Sequence, residues 1–376
     1  MSAAALGARR PLAPDRPSGW WRPPFVAPPL GRGAAGSAVV LHSAPLSSEV
    51  GRVKVLLIGA GAVGQVYGYH FQRGGAEVAF YVRGRYAAAT RAGFDLYPLN
   101  RKSPRAAPVR FEGFEVLTDW AAVAAGGFDI VVICVSSTAL RKGGWLTELA
   151  GALGDATLVN LTPGIEDLVL ITERVPFEQV VSGLIGLLSY PGPLPGETLP
   201  SPGMVYWVPP LTKMAFSGPE ARTRGVVTAL TRGGLRSKRV DDVQAAAAFA
   251  GPALQFLVVA LELSGWRFAP LRRDKALLAL ASRATHEAHA VAAARFGGRR
   301  PFATRLARPW VLRWVTRLVP RVAPVDMELF FEKHFTKVGD QTEHGLRTLI
   351  RLADEYDLPR DAMTGLLARL VDHRER

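Results

Sequence analysis

The stretch that most constrains this chain is KVLLIGAGAVGQVYGYHF, residues 54 to 71. An aliphatic run over 53–59 leads into three glycines spaced G-x-G-x-x-G, and a helical pattern follows. A near-continuous apolar run reads as a strand covered on both faces, the usual state of a strand in a parallel sheet. Gly59 allows the tight turn off the strand, Gly61 lets the backbone approach a pyrophosphate, and Gly64 lets the helix sit close to the strand. The helix beginning near Ala62 then turns its free N–H groups and positive dipole end toward the phosphates. Gly59, Ala60, Gly61, Ala62, Val63 and Gly64 are therefore the first candidate cofactor-binding residues. The motif predicts a dinucleotide site and leaves open whether the chain is a dehydrogenase.

The end of the second strand, FYVRGR, speaks to the cofactor type. An NAD site places Asp or Glu there to hold the ribose hydroxyls, whereas this chain has Arg83 and Arg85 and no carboxylate. A guanidinium pairs with a 2′-phosphate through two N–H bonds, so NADP(H) is the expected cofactor. Further strands are predicted over 77–82, 131–135, 157–161, 179–186, 204–208 and 213–218. Prolines separate the last two, which predicts an antiparallel hairpin or an edge addition. After Asp241 strand-like runs disappear, and helices are predicted over 243–264, 274–296, 303–318, 326–336, 341–356 and 361–373. The expected class is α/β: a Rossmann NADP-binding domain over 52–240 followed by an all-helical domain over 241–376, which would serve substrate binding and dimerisation.

Composition narrows the alternatives. Residues 1–51 are rich in Pro, Gly, Ala and Arg without a sustained period, which predicts a disordered extension, and no apolar run of signal-peptide length follows Arg9 and Arg10. The one cysteine, Cys134, excludes an internal disulfide and lies in a strand of Val and Ile, where a small buried hydrophobe is expected. A reducing, cytoplasmic setting fits. The net charge of +14 is concentrated, with eight arginines and no acid between Arg295 and Arg321. No aromatic RNA-binding strand or helix-turn-helix pattern accompanies it, so nucleic acid is not an expected partner. The segment 243–266 is apolar through its alanines and contains Pro252, Gln255 and Glu262, which predicts a core helix in place of a stable membrane insertion. His286 and His289 flank Glu287 at i, i+3, a spacing that a packed or solvated helix face explains better than metal binding.

Taken together these residues resemble the ketopantoate reductase (2-dehydropantoate 2-reductase) family, as a divergent member. IGAGAVGQVYGYHF is similar to its glycine motif, VRGRYAAATRAGFDL to its second-strand exit, FDIVVICVSS to its fourth strand, and THEAHAVAAARFG and GLRTLIRLADEYDLP to its later helices. The resemblance implies a Rossmann domain, an all-helical domain of the 6-phosphogluconate dehydrogenase-like kind, and a cleft between them. It also implies hydride transfer between NADPH and a carbonyl of a small substrate, such as a 2-oxo acid; a homodimer is possible, and the oligomeric state is left open by the sequence. The family's lysine after the fourth strand falls at Ser136, beside Val135. Its Gln-Asn-Gly turn reads Thr162-Pro163-Gly164, which puts Pro163 at the asparagine. Its general-acid lysine falls in DDVQAAAAFAGPALQF, which contains none. Its substrate-orienting carboxylate falls near Gln341, with Asp340 and Glu343 alongside.

The polar stretch between aromatic anchors, MELFFEKHFTKVGDQTEHG, supplies other candidates. If 329–335 is helical, Phe331 and Phe335 share a face, and Lys333 and Lys337 do so as the turn continues. Gly339 then ends that helix, and Asp340 is an N-cap with Glu343 three residues on in capping-box form. Lys337 and His334 are the candidate proton donors, with Gln341 and Asp340 as substrate contacts. The alternative function is a catalytically silent NADPH-binding module whose helical half acts as a sensor or interaction surface. In RRPFATRLARPWVLRWVTRLVPR, Trp310, Trp314 and Leu318 form one stripe and Arg313 and Arg317 another. Such a helix can cover the core with its arginines in water, lie on an anionic membrane, contact an acidic substrate, or pack in a dimer.

Overall fold

The computed structural model describes residues 52–376 apart from 102–104, 106, 143, 163, 165, 298–300 and 338. The expectation for 1–51 and the assignment of Pro163 lie outside the described residues.

The described residues form twelve strands: β1 (Lys54–Ile58), β2 (Glu77–Tyr81), β3 (Phe94–Pro98), β4 (Val109–Phe111), β5 (Glu115–Leu117), β6 (Ile130–Ile133), β7 (Thr157–Asn160), β8 (Val180–Leu184), β9 (Leu188–Gly192), β10 (Gly203–Trp207), β11 (Met214–Ser217) and β12 (Ser237–Arg239). Eight of them form one sheet in the order β12-β11-β8-β7-β6-β1-β2-β5. The six from β5 to β8 run parallel, and β11 joins β8 antiparallel. The parallel part is the doubly wound order of a Rossmann fold, whose topological switch lies between β1 and β6. Alternation along β1 explains why its run is wholly apolar: Val55 and Leu57 enter one core with Val66, Phe71 and Phe80. Leu56 and Ile58 enter another with Val131, Ile133 and Leu158.

The predicted pairing of 204–208 with 213–218 is corrected. β10 lies in a second, four-stranded sheet, β4-β3-β10-β9, antiparallel to β9 and parallel to β3, while β11 belongs to the large sheet. Pro209 and Pro210 withhold ladder donors, and Leu211 takes a left-handed φ of 66°, so the chain turns from one sheet to the other. A strand's composition does not name its partner.

After Arg239 every regular element is helical. Helix Val243–Leu263 is long and apolar enough to cross a membrane, yet Phe256 to Leu261 are buried in a core shared with Lys275–Phe296 and Asp361–Glu375. Asp242 and Asp274 accept from the N–H groups of Ala245 at 3.0 Å and Leu277 at 2.8 Å, capping two of these helices. Glu287 does the same for the last helix, accepting from the N–H groups of Ala362 and Met363 at 2.9 Å each. His289 is buried, with Nε2 3.0 Å from the Phe249 carbonyl. Two boundary expectations change. The helix expected over 303–318 runs Pro309–Val322, because a residue before proline disfavours helix and proline suits the first turn. Gly339 opens a helix, Gly339–Glu355, so Asp340 sits inside its first turn and not at an N-cap. Glu343 accordingly pairs forward with Arg347 at 2.7 Å.

Candidate dinucleotide and substrate cleft

Strand register brings Tyr81, Ile58, Ile133, Asn160 and Ser182 into one row at the carboxyl ends of β2, β1, β6, β7 and β8. In an open α/β sheet the ligand crevice lies just beyond such a row at the switch point. The glycine loop occupies it. Gly59 has φ +103°, and helix Ala62–Arg73 starts after Gly61 with no side-chain cap and no acid in its first turn. A Cβ on Gly64 would lie 2.1 Å from the Gly59 carbonyl oxygen, so only glycine permits the helix to pack there. A Cβ on Gly61 would meet nothing within 4 Å. The loop is thus tight on its protein side and open on the crevice side. The N–H groups of Gly61, Ala62, Val63 and Gly64 precede the first helical bond, Gln65 N–H to Gly61 at 3.0 Å, and are available to an anion. The Gln65 side chain donates to the Ala60 carbonyl at 2.9 Å and holds the turn.

Arg83 and Arg85 follow β2 into helix Gly84–Arg91, both exposed, with guanidinium carbons 5.6 and 4.8 Å from the Tyr86 ring centroid. Neither forms an ion pair with a carboxylate among the described residues. Two unsatisfied cations beside an aromatic face suit a phosphate. Tyr86 was invisible as a site residue in the sequence because its role depends on the arginines folding over it.

Beyond β6, Val135 packs below the loop and Ser136 caps helix Ser137–Arg141, accepting from the Ala139 N–H at 3.2 Å. Cys134 is half-buried against the glycine loop, and desolvation pushes its thiol pKa up, away from nucleophile behaviour. The loop after β7 is fastened by Asp167, fully buried. Asp167 accepts from Ser137 Oγ at 2.5 Å and from the Gly164 N–H at 2.8 Å. Arg141 stands 2.5 Å away as an ion pair. A Cβ on Gly164 would collide with that carboxylate. Asn160, 1% exposed, accepts from Thr162 N–H and O–H at 2.9 and 2.6 Å, and its Nδ2 has no partner among the described residues. Ser182 and Ser217 continue this row. Ser217 accepts from the Val243 N–H at 2.9 Å, and Gln244 reaches Ser182 at 3.4 Å. These were missed in the sequence, where the only signal is a polar residue in each of three apolar strands, last in β7 and β11 and mid-strand in β8.

Helix Gly339–Glu355 packs on Lys275–Phe296 and Asp361–Glu375. Arg374 ties the Gly339 carbonyl to Glu262, Gly345 abuts Gln255, and Arg351 bonds Glu166 in the loop after β7. At 1.5 Å per residue, Asp340 is about 17 Å along the helix from Arg351. His334 and Lys337 lie on the preceding helix, Met327–Lys337, and both are exposed, so Lys337 is not the buried lysine that general-acid chemistry favours. His334 stacks on Phe330 with ring centroids 5.3 Å apart, and desolvation, aided by the Lys337 charge, lowers its pKa. Gln341 is half-buried and Asp340 exposed. The structure groups these four at one helix junction and puts Arg351, not them, against the β7 loop.

Residues 55–190 match the family model for ketopantoate reductase, PanE/ApbA. Over 85–86% of the chain the fold is similar to that of solved ketopantoate reductases. A PanE/ApbA family ketopantoate reductase from Ralstonia eutropha JMP134 superposes with a TM-score of 0.64 at 20% identity, covering 86% of this chain and 99% of that one. A 2-dehydropantoate 2-reductase from Geobacter metallireducens GS-15 gives 0.65 at 16% identity, covering 85% and 99%. D-mandelate dehydrogenase, in a ternary structure with NADH and anilino(oxo)acetate, gives 0.64 at 14% identity, covering 86% and 98%. No curated protein sequence matches the chain. At such identities the likeness is one of fold alone.

Proposed function

We propose that the chain is an NADP(H)-dependent oxidoreductase of the ketopantoate reductase type, acting on the carbonyl of a small 2-oxo acid or on the corresponding alcohol. The observation that carries this reading is the glycine loop, tight against the sheet and open to the crevice, beside two cations with no acid partner among the described residues. The family match over 55–190 supports it, as do structural neighbours named for ketopantoate reduction and for a mandelate dehydrogenase holding NADH. In this reading 52–240 forms the cofactor domain and 241–376 the substrate domain, and the protein works in the cytoplasm.

The bound cofactor would supply a hydride to the carbonyl carbon, while a proton goes to its oxygen. The rest falls to this chain. The N–H groups of residues 61–64 would hold the pyrophosphate, Arg83 with Arg85 the 2′-phosphate, and Val135 and Ser136 would border the cofactor. Asp167 holds the β7 loop against helix Ser137–Arg141, which keeps that wall of the crevice in place. His334 and Lys337 are the proposed proton donors, with Gln341 and Asp340 as substrate contacts. The second reading, an NADPH-binding module without turnover, is favoured by the lysine-free helix Val243–Leu263 and by the exposure of His334 and Lys337. NADPH oxidation measured over a panel of 2-oxo acids separates them. Turnover abolished by Lys337→Ala or His334→Ala supports the enzyme and its site, whereas tight NADPH binding without turnover on any substrate establishes the silent module.

A further inference from the structure

Helix Pro309–Val322 and the turn before it, Phe302–Leu306, present an unusual surface. Phe302, Leu306, Trp310, Trp314, Leu318 and Val322 recur every four residues and are 73, 50, 59, 65, 56 and 60% exposed. With Val315 they are seven of the thirteen exposed large hydrophobics among the described residues, so the apolar surface is concentrated in this one place. The helix is seated and not displaced: Leu312 and Thr316 face inward, Arg272 donates to the Thr316 carbonyl at 3.0 Å, and Ser282 donates to the Ala307 carbonyl at 2.6 Å. At about 100° per residue, Trp310 through Val322 span an outward arc of about 120°, with Arg313 and Arg317 along its edge. No acidic residue occurs between Glu287 and Asp326, a stretch holding eight arginines.

We propose that this face docks on an anionic lipid surface, with the helix lying in the plane of the headgroups. Tryptophans suit that boundary, the aliphatic residues enter below it, and the arginines reach back to the phosphates. Charge decides against the other occupants. A second copy would bring like-charged arginine rows together with no acid in the stretch to offset them. The segment 1–50, with five arginines against two acids, is basic as well. The inference is independent of the reaction proposed above.

The test is co-sedimentation of the full chain with vesicles of phosphatidylcholine alone or mixed with phosphatidylglycerol, at low and high salt. Binding to the mixed vesicles only, weakened by salt, is expected. Arg313→Gln/Arg317→Gln should weaken it about 30-fold, at about fivefold per charge. Trp310→Ser/Trp314→Ser should abolish it, while thermal unfolding and NADPH binding stay as in the parent, because these side chains do not enter the core. Failure to bind anionic vesicles at low salt overturns the proposal. So does binding indifferent to both double variants, or a dimer in sedimentation equilibrium that the tryptophan substitutions dissociate.

Discussion

Replacing Arg83 by alanine isolates the cofactor assignment. Arg83 is exposed, forms no ion pair among the described residues, and has its guanidinium carbon over the Tyr86 ring, 5.6 Å from the centroid. Its loss should therefore leave folding intact, since surface changes away from such networks move stability by no more than about 0.5 kcal/mol. A charge-assisted bond to phosphate is worth about 1.5–3 kcal/mol, which spans about 13- to 160-fold in Kd. Solvent screening at an open site, and Arg85 alongside to share the phosphate, place the effect at the lower end, about 10- to 30-fold. NADH, which lacks that phosphate, should bind the variant as it binds the parent. The assay is a fluorescence titration of both cofactors against both proteins, repeated at higher salt, where the NADPH difference should shrink. Equal losses for NADH and NADPH, or none for either, would refute the reasoning and return Arg83 to the role of a solvated strand-end charge.

Three further outcomes follow from the same geometry. Gly61→Ala should fold normally, because its Cβ meets nothing within 4 Å, yet weaken both cofactors; Gly64→Ala, with a backbone oxygen at 2.1 Å, should cost about 1–3 kcal/mol or more in denaturant unfolding. Matching behaviour of the two variants would count against the loop geometry. Asp167→Asn should cost about 1–3 kcal/mol and increase hydrogen exchange in the loop after β7, because Arg141 loses its counter-charge while Ser137 keeps an acceptor; unchanged exchange there would remove its positioning role. His70 is buried, with Nδ1 2.9 Å from the Gly233 carbonyl, and desolvation lowers its pKa below 6.5. Below pH 6.5 the unfolded chain binds the proton first, so its contribution is complete above that value and is lost as pH falls toward the folded pKa. Thermal unfolding should show a steeper acid loss in the parent than in His70→Gln, and parallel profiles would contradict this.

The glycine-loop part of the fold is legible in the sequence because local rules govern it. Val53 to Gly64 must form a strand, a left-handed glycine and a helix start, and in the structure Gly59 has φ +103° while Gly64 has no room for a Cβ. The run of helices after Asp241 shows equally in its period and caps. Contacts between distant segments do not show. Strand composition could not place β10 and β11 in different sheets, since both are apolar and only neighbours reveal which edge each joins. Asp167, Ser137 and Arg141 lie up to thirty positions apart and become one unit only when β6 and β7 are side by side. The stretch 327–345 read as a site because its polar residues are close in sequence. The fold instead spreads them over two helices, Met327–Lys337 and Gly339–Glu355, and the second, packed on Lys275–Phe296 and Asp361–Glu375, reaches the β7 loop only at Arg351. The sequence by itself determined the dinucleotide loop and the α/β-then-helical order, through steric demands within a few residues; the tertiary structure alone decided which polar groups share the crevice and which tryptophans remain in water, because burial is a property of neighbours.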